Sequence, residues 1–169
     1  MIGAREARAA ARAALRAARA EALPPVSAWE DLSVADPVAV SNLSGAPSYW
    51  SVPLVCMGHV VGFVRVLPSG AVGAIGMFCQ RPDAPHTCPL PPIGQSAQEV
   101  AEVVREAGLL GAGETLGDVR LVHDGPPGRE AWLAETHQDG LPRRWIFVTP
   151  AGHYDRPAGT QAEGDPPMD

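Results

Sequence analysis

The chain reads as an α+β protein made of two related halves, each a helix packed on a small antiparallel sheet. Three observations predict this. A hairpin pattern recurs at a spacing of 82 positions, so that Tyr49-Trp50 through Ala71-Val72 lies without a gap on Ala131-Trp132 through His153-Tyr154. Trp50 falls on Trp132, Gly58 on Gly140, Val66 on Val148, Pro68 on Pro150 and Gly70 on Gly152. Leu67-Pro68-Ser69-Gly70 and Thr149-Pro150-Ala151-Gly152 supply a turn after the second strand of each copy. A helix with a well-marked start, Ser96-Ala97-Gln98-Glu99, precedes the second copy.

Residues 4–23 are dense in Ala and Arg, both strong helix formers, and Pro24-Pro25 ends the run. Arg5, Arg8, Arg12, Arg16 and Arg19 recur three or four apart and form one basic stripe. Only Glu6 and Glu21 oppose them, leaving this segment at +3 within a chain of net charge −6. The default reading is a solvated face; the alternatives are docking on the acidic body, a partner, an anionic surface, or an organelle transit peptide.

Strands are expected over 37–43, 48–56, 59–67 and 71–79. In the third of these, Val60, Gly62, Val64 and Val66 share one face while Val61, Phe63 and Arg65 share the other, so both faces need cover. Met57-Gly58 and Asp139-Gly140 supply the hairpin turns, where a positive φ is cheap for glycine. Pro at the first central position and Gly at the fourth position of the turn close each second strand. Residues 80–94 hold five prolines and read as a linker between a first half over 24–79, with helix 1–23, and a second half over 95–156. In that second half Ala97, Val100, Ala101 and Val104 share a helix face. Strands over 119–124, 130–138 and 141–149 follow, with a short one over 153–156. Residues 157–169, rich in Gly, Pro and acids, read as a disordered tail.

The acidic balance argues against nucleic acid as principal partner, and all thirteen basic residues being Arg reflects the codon bias of a GC-rich genome. No apolar run is long enough to span a membrane, and the N-terminus lacks a secretory core. Three cysteines, an odd number, fit a reducing compartment and a cytoplasmic location. Asn42-Leu43-Ser44 matches a glycosylation acceptor by coincidence.

The order of helix, strand, Pro/Gly turn, Trp-led strand, Asp-Gly turn and final strand-turn resembles the PepSY domain of peptidase propeptides. The likeness rests on Ser96-Ala97-Gln98-Glu99-Val100-Ala101, Ala131-Trp132 and Phe147-Val148-Thr149-Pro150-Ala151-Gly152. Tyr49-Trp50 with Gly62-Phe63-Val64-Arg65-Val66 resembles a second, more divergent copy. This resemblance implies a non-catalytic role, inhibiting or assisting a peptidase or binding a ligand, and carries no catalytic residue across.

Chemistry is sought in four places. Cys79, His86 and Cys88 share a Pro-rich loop; unbound residues are the default, a Cys79–Cys88 disulfide or a zinc site the alternatives. Cys56 and His59 flank the first turn, where a buried structural thiol is the default against an activated nucleophile. His123, Asp124, His137 and Asp139 sit near strand ends. Trp50 with Phe63, and Trp132 with Trp145, are expected to meet across their hairpins, as buried cross-strand pairs or as anchors of a recognition surface. The expected function is a binding or regulatory module that presents sheet surface and edge to a protein, peptide or small ligand, with no cofactor. A small α+β enzyme and a self-assembling subunit are the alternatives.

Overall fold

The computed structural model describes residues 1–125 and 128–160 and holds two α-helices and nine strands among them. It divides into two compact units. Unit 1 comprises Met1–Val40 and Pro47–Gly94; unit 2 comprises Ser41–Ala46 and the described residues from Gln95 onward. Residues 80–94, expected as a linker, pack within unit 1, where Pro85 and Ile93 are buried. Of the expected tail, the residues from 161 lie outside the described residues, as do Pro126 and Pro127 of the expected turn.

In unit 1, helix α1 (Ala4–Ala20) begins where the Gly3 N–H donates to the Glu6 carboxylate at 2.8 Å. Ala7, Ala11, Leu15 and Ala18 recur at helical spacing and are buried against the sheet. That sheet contains β1 (Ser33–Val34), β3 (Pro47–Cys56), β4 (His59–Val66) and β5 (Val72–Met77). Each pairs antiparallel with its neighbour: β1 with β3, β3 with β4, and β4 with β5. Val52, Leu54, Val64 and Val66 join the buried side of α1 in one apolar core. The two-residue β1 was not expected from sequence. Strand β2 (Val38–Ser41) ends at the junction of the units.

In unit 2, helix α2 (Ala97–Glu106) starts at Ser96, whose Oγ accepts from the Glu99 N–H while the Ser96 N–H donates to the Glu99 carboxylate. Strands β6 (Thr115–His123), β7 (Glu130–Gln138), β8 (Leu141–Thr149) and β9 (Gly152–Pro157) form an antiparallel meander. Ser41 pairs with Val122 of β6 in parallel, so unit 2 is not purely antiparallel. Strand β6 starts four residues earlier than expected, with its register shifting between Leu116 and Val119.

The β3–β4 and β7–β8 hairpins share more than their turns. Trp50 pairs with Val66 and Trp132 with Val148. Each hairpin carries one extra residue on its second strand: Val61, between the partners of Leu54 and Val55, and Arg143, between those of Thr136 and His137. Both turns place two successive residues at positive φ, Met57 and Gly58 at 51° and 82°, and Asp139 and Gly140 at 53° and 78°, matching the strand twist. The third strands differ. The β4–β5 register shifts between Arg65 and Val66, whereas β8–β9 runs without a shift.

Candidate functional site: an arginine-lined groove

On α1, Arg8, Arg12, Arg16 and Arg19 each follow one of the four buried residues. A step of one residue turns about 100° around a helix, which sets these side chains at the border of the buried stripe. They line a groove of about 430 Å³ between α1 and the β1 segment, with Leu15, Leu32 and Val34 as its apolar floor. Such a volume lies within the range of small-ligand sites.

The outer arginines are spoken for. The Arg8 guanidinium donates to Asp36 Oδ1 at 2.8 Å and to the Val34 carbonyl at 3.3 Å. Arg19 donates to the carbonyls of Glu30 at 2.7 Å and Leu32 at 3.3 Å. Between them, Arg12 and Arg16 are exposed and have no ion-pair or hydrogen-bond partner among the described residues. The stripe is thus neither uniformly solvated nor uniformly docked.

In unit 2 three arginines are held in ion pairs. In unit 2 the Arg144 guanidinium donates to both Glu114 oxygens, at 2.8–3.0 Å, and to Asp155 at 3.0 Å. Glu114 also accepts from the Gly111 N–H at 2.7 Å. The Arg144 hydrogen bonds hold the Glu114 carboxyl down to a pKa of about 2, and they push the Arg144 pKa up. Buried Asp124 accepts from the Tyr154 hydroxyl at 2.6 Å and from Arg156 at 2.8 Å. Burial, and then this donation to a carboxylate, raise the Tyr154 pKa. Arg156 lies over the Phe147 ring at 4.7 Å, and Tyr154 stacks on the same ring with centroids 4.8 Å apart. Arg120 bridges Asp118 and Glu135.

The expected aromatic pairs do not form. Trp50 is opposite Val66, while Phe63 is opposite Pro53, three positions further along the same strand. Trp132 is opposite Val148 and Trp145 opposite Glu135, again three positions apart. An odd separation sends side chains to opposite faces of a sheet. Trp132 and Trp145 are buried; Trp145 packs with Leu43, Val122, Ala131, Leu133 and Phe147. Trp50 is half-buried and its indole N–H donates to the Ile2 carbonyl at 2.9 Å. Phe63, half-buried, sits 5.2 Å from the Phe78 ring and beneath Arg65.

Cys79 and Cys88 are joined in a disulfide, with Cα atoms 5.5 Å apart, which replaces the default reading of unbound loop residues. One free thiol is left, buried Cys56. Among the described residues no helix is long and apolar enough to cross a membrane. Among the described residues no cluster of three His, Cys, Asp or Glu side chains is arranged to hold a metal ion. Cys56 and His59 face each other across the first turn, and the His59 ring lies 6.4 Å from that of His86. His123 pairs with Glu130 at the start of β7, whereas His137 stands seven residues on, roughly 23 Å away at the rise of a strand. The four strand-end groups therefore do not converge on one site. His123 Nδ1 instead donates to the Gly125 carbonyl at 2.7 Å.

No family model, no curated protein and no solved structure matches this chain. The arginine spacing on α1 was visible in the sequence, but nothing there distinguished the paired residues from the unpaired ones. The Glu114–Arg144 and Asp124–Arg156 pairs went unseen; their one signal is an arginine beside large apolar residues in a strand, as in Arg144-Trp145-Ile146-Phe147.

Proposed function

We propose that the chain is a non-catalytic binding or regulatory module that holds a protein or peptide partner at the arginine-lined groove. The observation that carries this reading is the pair of unpartnered guanidiniums, Arg12 and Arg16, beside an open groove with an apolar floor. Two cations without counter-ions create a positive potential that an anionic group on a ligand offsets. The likeness of the two hairpins to a duplicated PepSY-type scaffold has the same tenor, because that family is associated with non-catalytic roles. On this reading the two hairpins are copies of one unit, and the tryptophans are packing residues rather than binding anchors.

Thermal-shift measurement on the full chain tests this, using acidic, neutral and basic peptides and inorganic phosphate. An anionic probe is expected to raise the melting temperature by mass action, and the Arg12→Gln/Arg16→Gln variant is expected to lose the response. If no probe moves the melting temperature at millimolar concentration, the reading falls.

Self-assembly is a second reading, favoured by one observation. Strand β5 in unit 1 and β9 in unit 2 each pair along one edge only among the described residues. Sedimentation at increasing protein concentration separates the two, since only self-assembly makes the mass climb.

A further inference from the structure

We infer that the groove takes an extended acidic segment of a partner protein, with carboxylates on alternate residues meeting Arg12 and Arg16. This rests on the binding-module reading and names its ligand. The spacing is the first argument. Residues four apart on a helix are separated by about 6 Å along its axis. Residues two apart in an extended chain are separated by about 6.6–6.8 Å and point the same way. A carboxylate at every second position of a ligand therefore falls in step with Arg12 and Arg16. From Arg8 to Arg19 the groove wall is about 16 Å long, which accommodates roughly five extended residues.

The second argument is where the free charge lies. Arg8 and Arg19 are held at the two ends by Asp36 and by the carbonyls of Val34, Glu30 and Leu32. Those same contacts occupy carbonyl groups of the β1 segment, so a ligand has few backbone acceptors to pair with there. Recognition runs through side-chain charge and not through addition of a strand. Leu15, Leu32 and Val34 then accept the aliphatic stems of glutamates that reach the guanidiniums.

Other anionic partners fit less well. A nucleic acid presents a continuous run of phosphates, and the groove has two free cations to meet them. A lipid surface needs an exposed apolar helix face, and the apolar face of α1 is buried in the core of unit 1.

Fluorescence anisotropy with the full chain separates these cases. The probes are a short capped peptide of alternating glutamate and alanine, its isomer with the same glutamates in one block, inorganic phosphate as competitor, a single-stranded oligonucleotide, and vesicles containing phosphatidylserine. The alternating peptide is expected to bind at least about tenfold more tightly than its isomer, and more weakly as salt rises. Arg12→Gln and Arg16→Gln, both at exposed positions, are each expected to weaken it about tenfold, while Arg5→Gln, outside the groove, leaves it unchanged. Circular dichroism of the variants shows whether the helix survives. Equal affinity for the two isomers, or binding that survives in the Arg12→Gln/Arg16→Gln double variant, overturns the inference. So does tighter binding of the oligonucleotide or the vesicles. Phosphate binding lost in the double variant, with no peptide binding, overturns the acidic-segment inference and leaves the binding-module reading standing. Silence from every probe removes both.

Discussion

Arg144 ties together three stretches of unit 2 that are far apart in the chain. It binds Glu114 before β6, Asp155 on β9 and the Leu109 carbonyl after α2. Glu114 is nearly enclosed, its side chain 6% exposed, so removing the arginine leaves a carboxylate without its partner. Arg144→Met is expected to cost about 3 kcal/mol, read from the urea midpoint. The paired carboxyl also makes stability depend on acid. Its pKa in the folded chain, about 2, lies below the ordinary 4.5, so its contribution is complete above the ordinary value and is lost as pH falls from there toward 2. Urea midpoints of wild type and Glu114→Gln, followed through this window, are expected to converge as pH drops. Parallel curves would contradict the assignment. None of this was legible in the sequence, because which carboxylate an arginine meets is decided by tertiary register.

At the scale of elements, the hairpins were legible for a local reason. A glycine at each midpoint and a Pro/Gly turn after each second strand mark the hairpin without reference to distant residues. The aromatic pairing failed because it depended on register rather than on strand placement. Trp132 and Trp145 differ from a facing pair by an odd number of positions, and that difference decides which face each ring occupies. Helix α2 was legible from its capping residues, whereas β1 was not, since two residues carry no periodicity. The first turn offers a test. Met57 is exposed and stands at a φ of 51°, a region that asparagine tolerates better than a long side chain. Met57→Asn is expected to raise stability by about 0.5–1 kcal/mol, measured as a higher melting temperature. Gly58→Ala, at a φ of 82° with open space around it, is expected to lower stability by about 1 kcal/mol through backbone strain alone.

For the whole molecule, the disulfide and the groove belong to the same unit and act on different parts of it. The Cys79–Cys88 bridge closes a short loop, its cysteines nine positions apart, and restricts the unfolded chain. Replacing both by alanine is expected to cost about 2–3 kcal/mol in the urea midpoint. Reductant is expected to produce the same loss in wild type and none in the variant. The arginine stripe was legible as a stripe. Its division into clamped ends and a free centre was not, because that depends on where residues 30–36 return to the helix. The clamped ends also bear on solubility. A short outer strand offers its backbone to any passing chain and invites sheet-on-sheet growth. By occupying carbonyls along the β1 segment, Arg8 and Arg19 leave that edge fewer backbone acceptors for another chain to pair with.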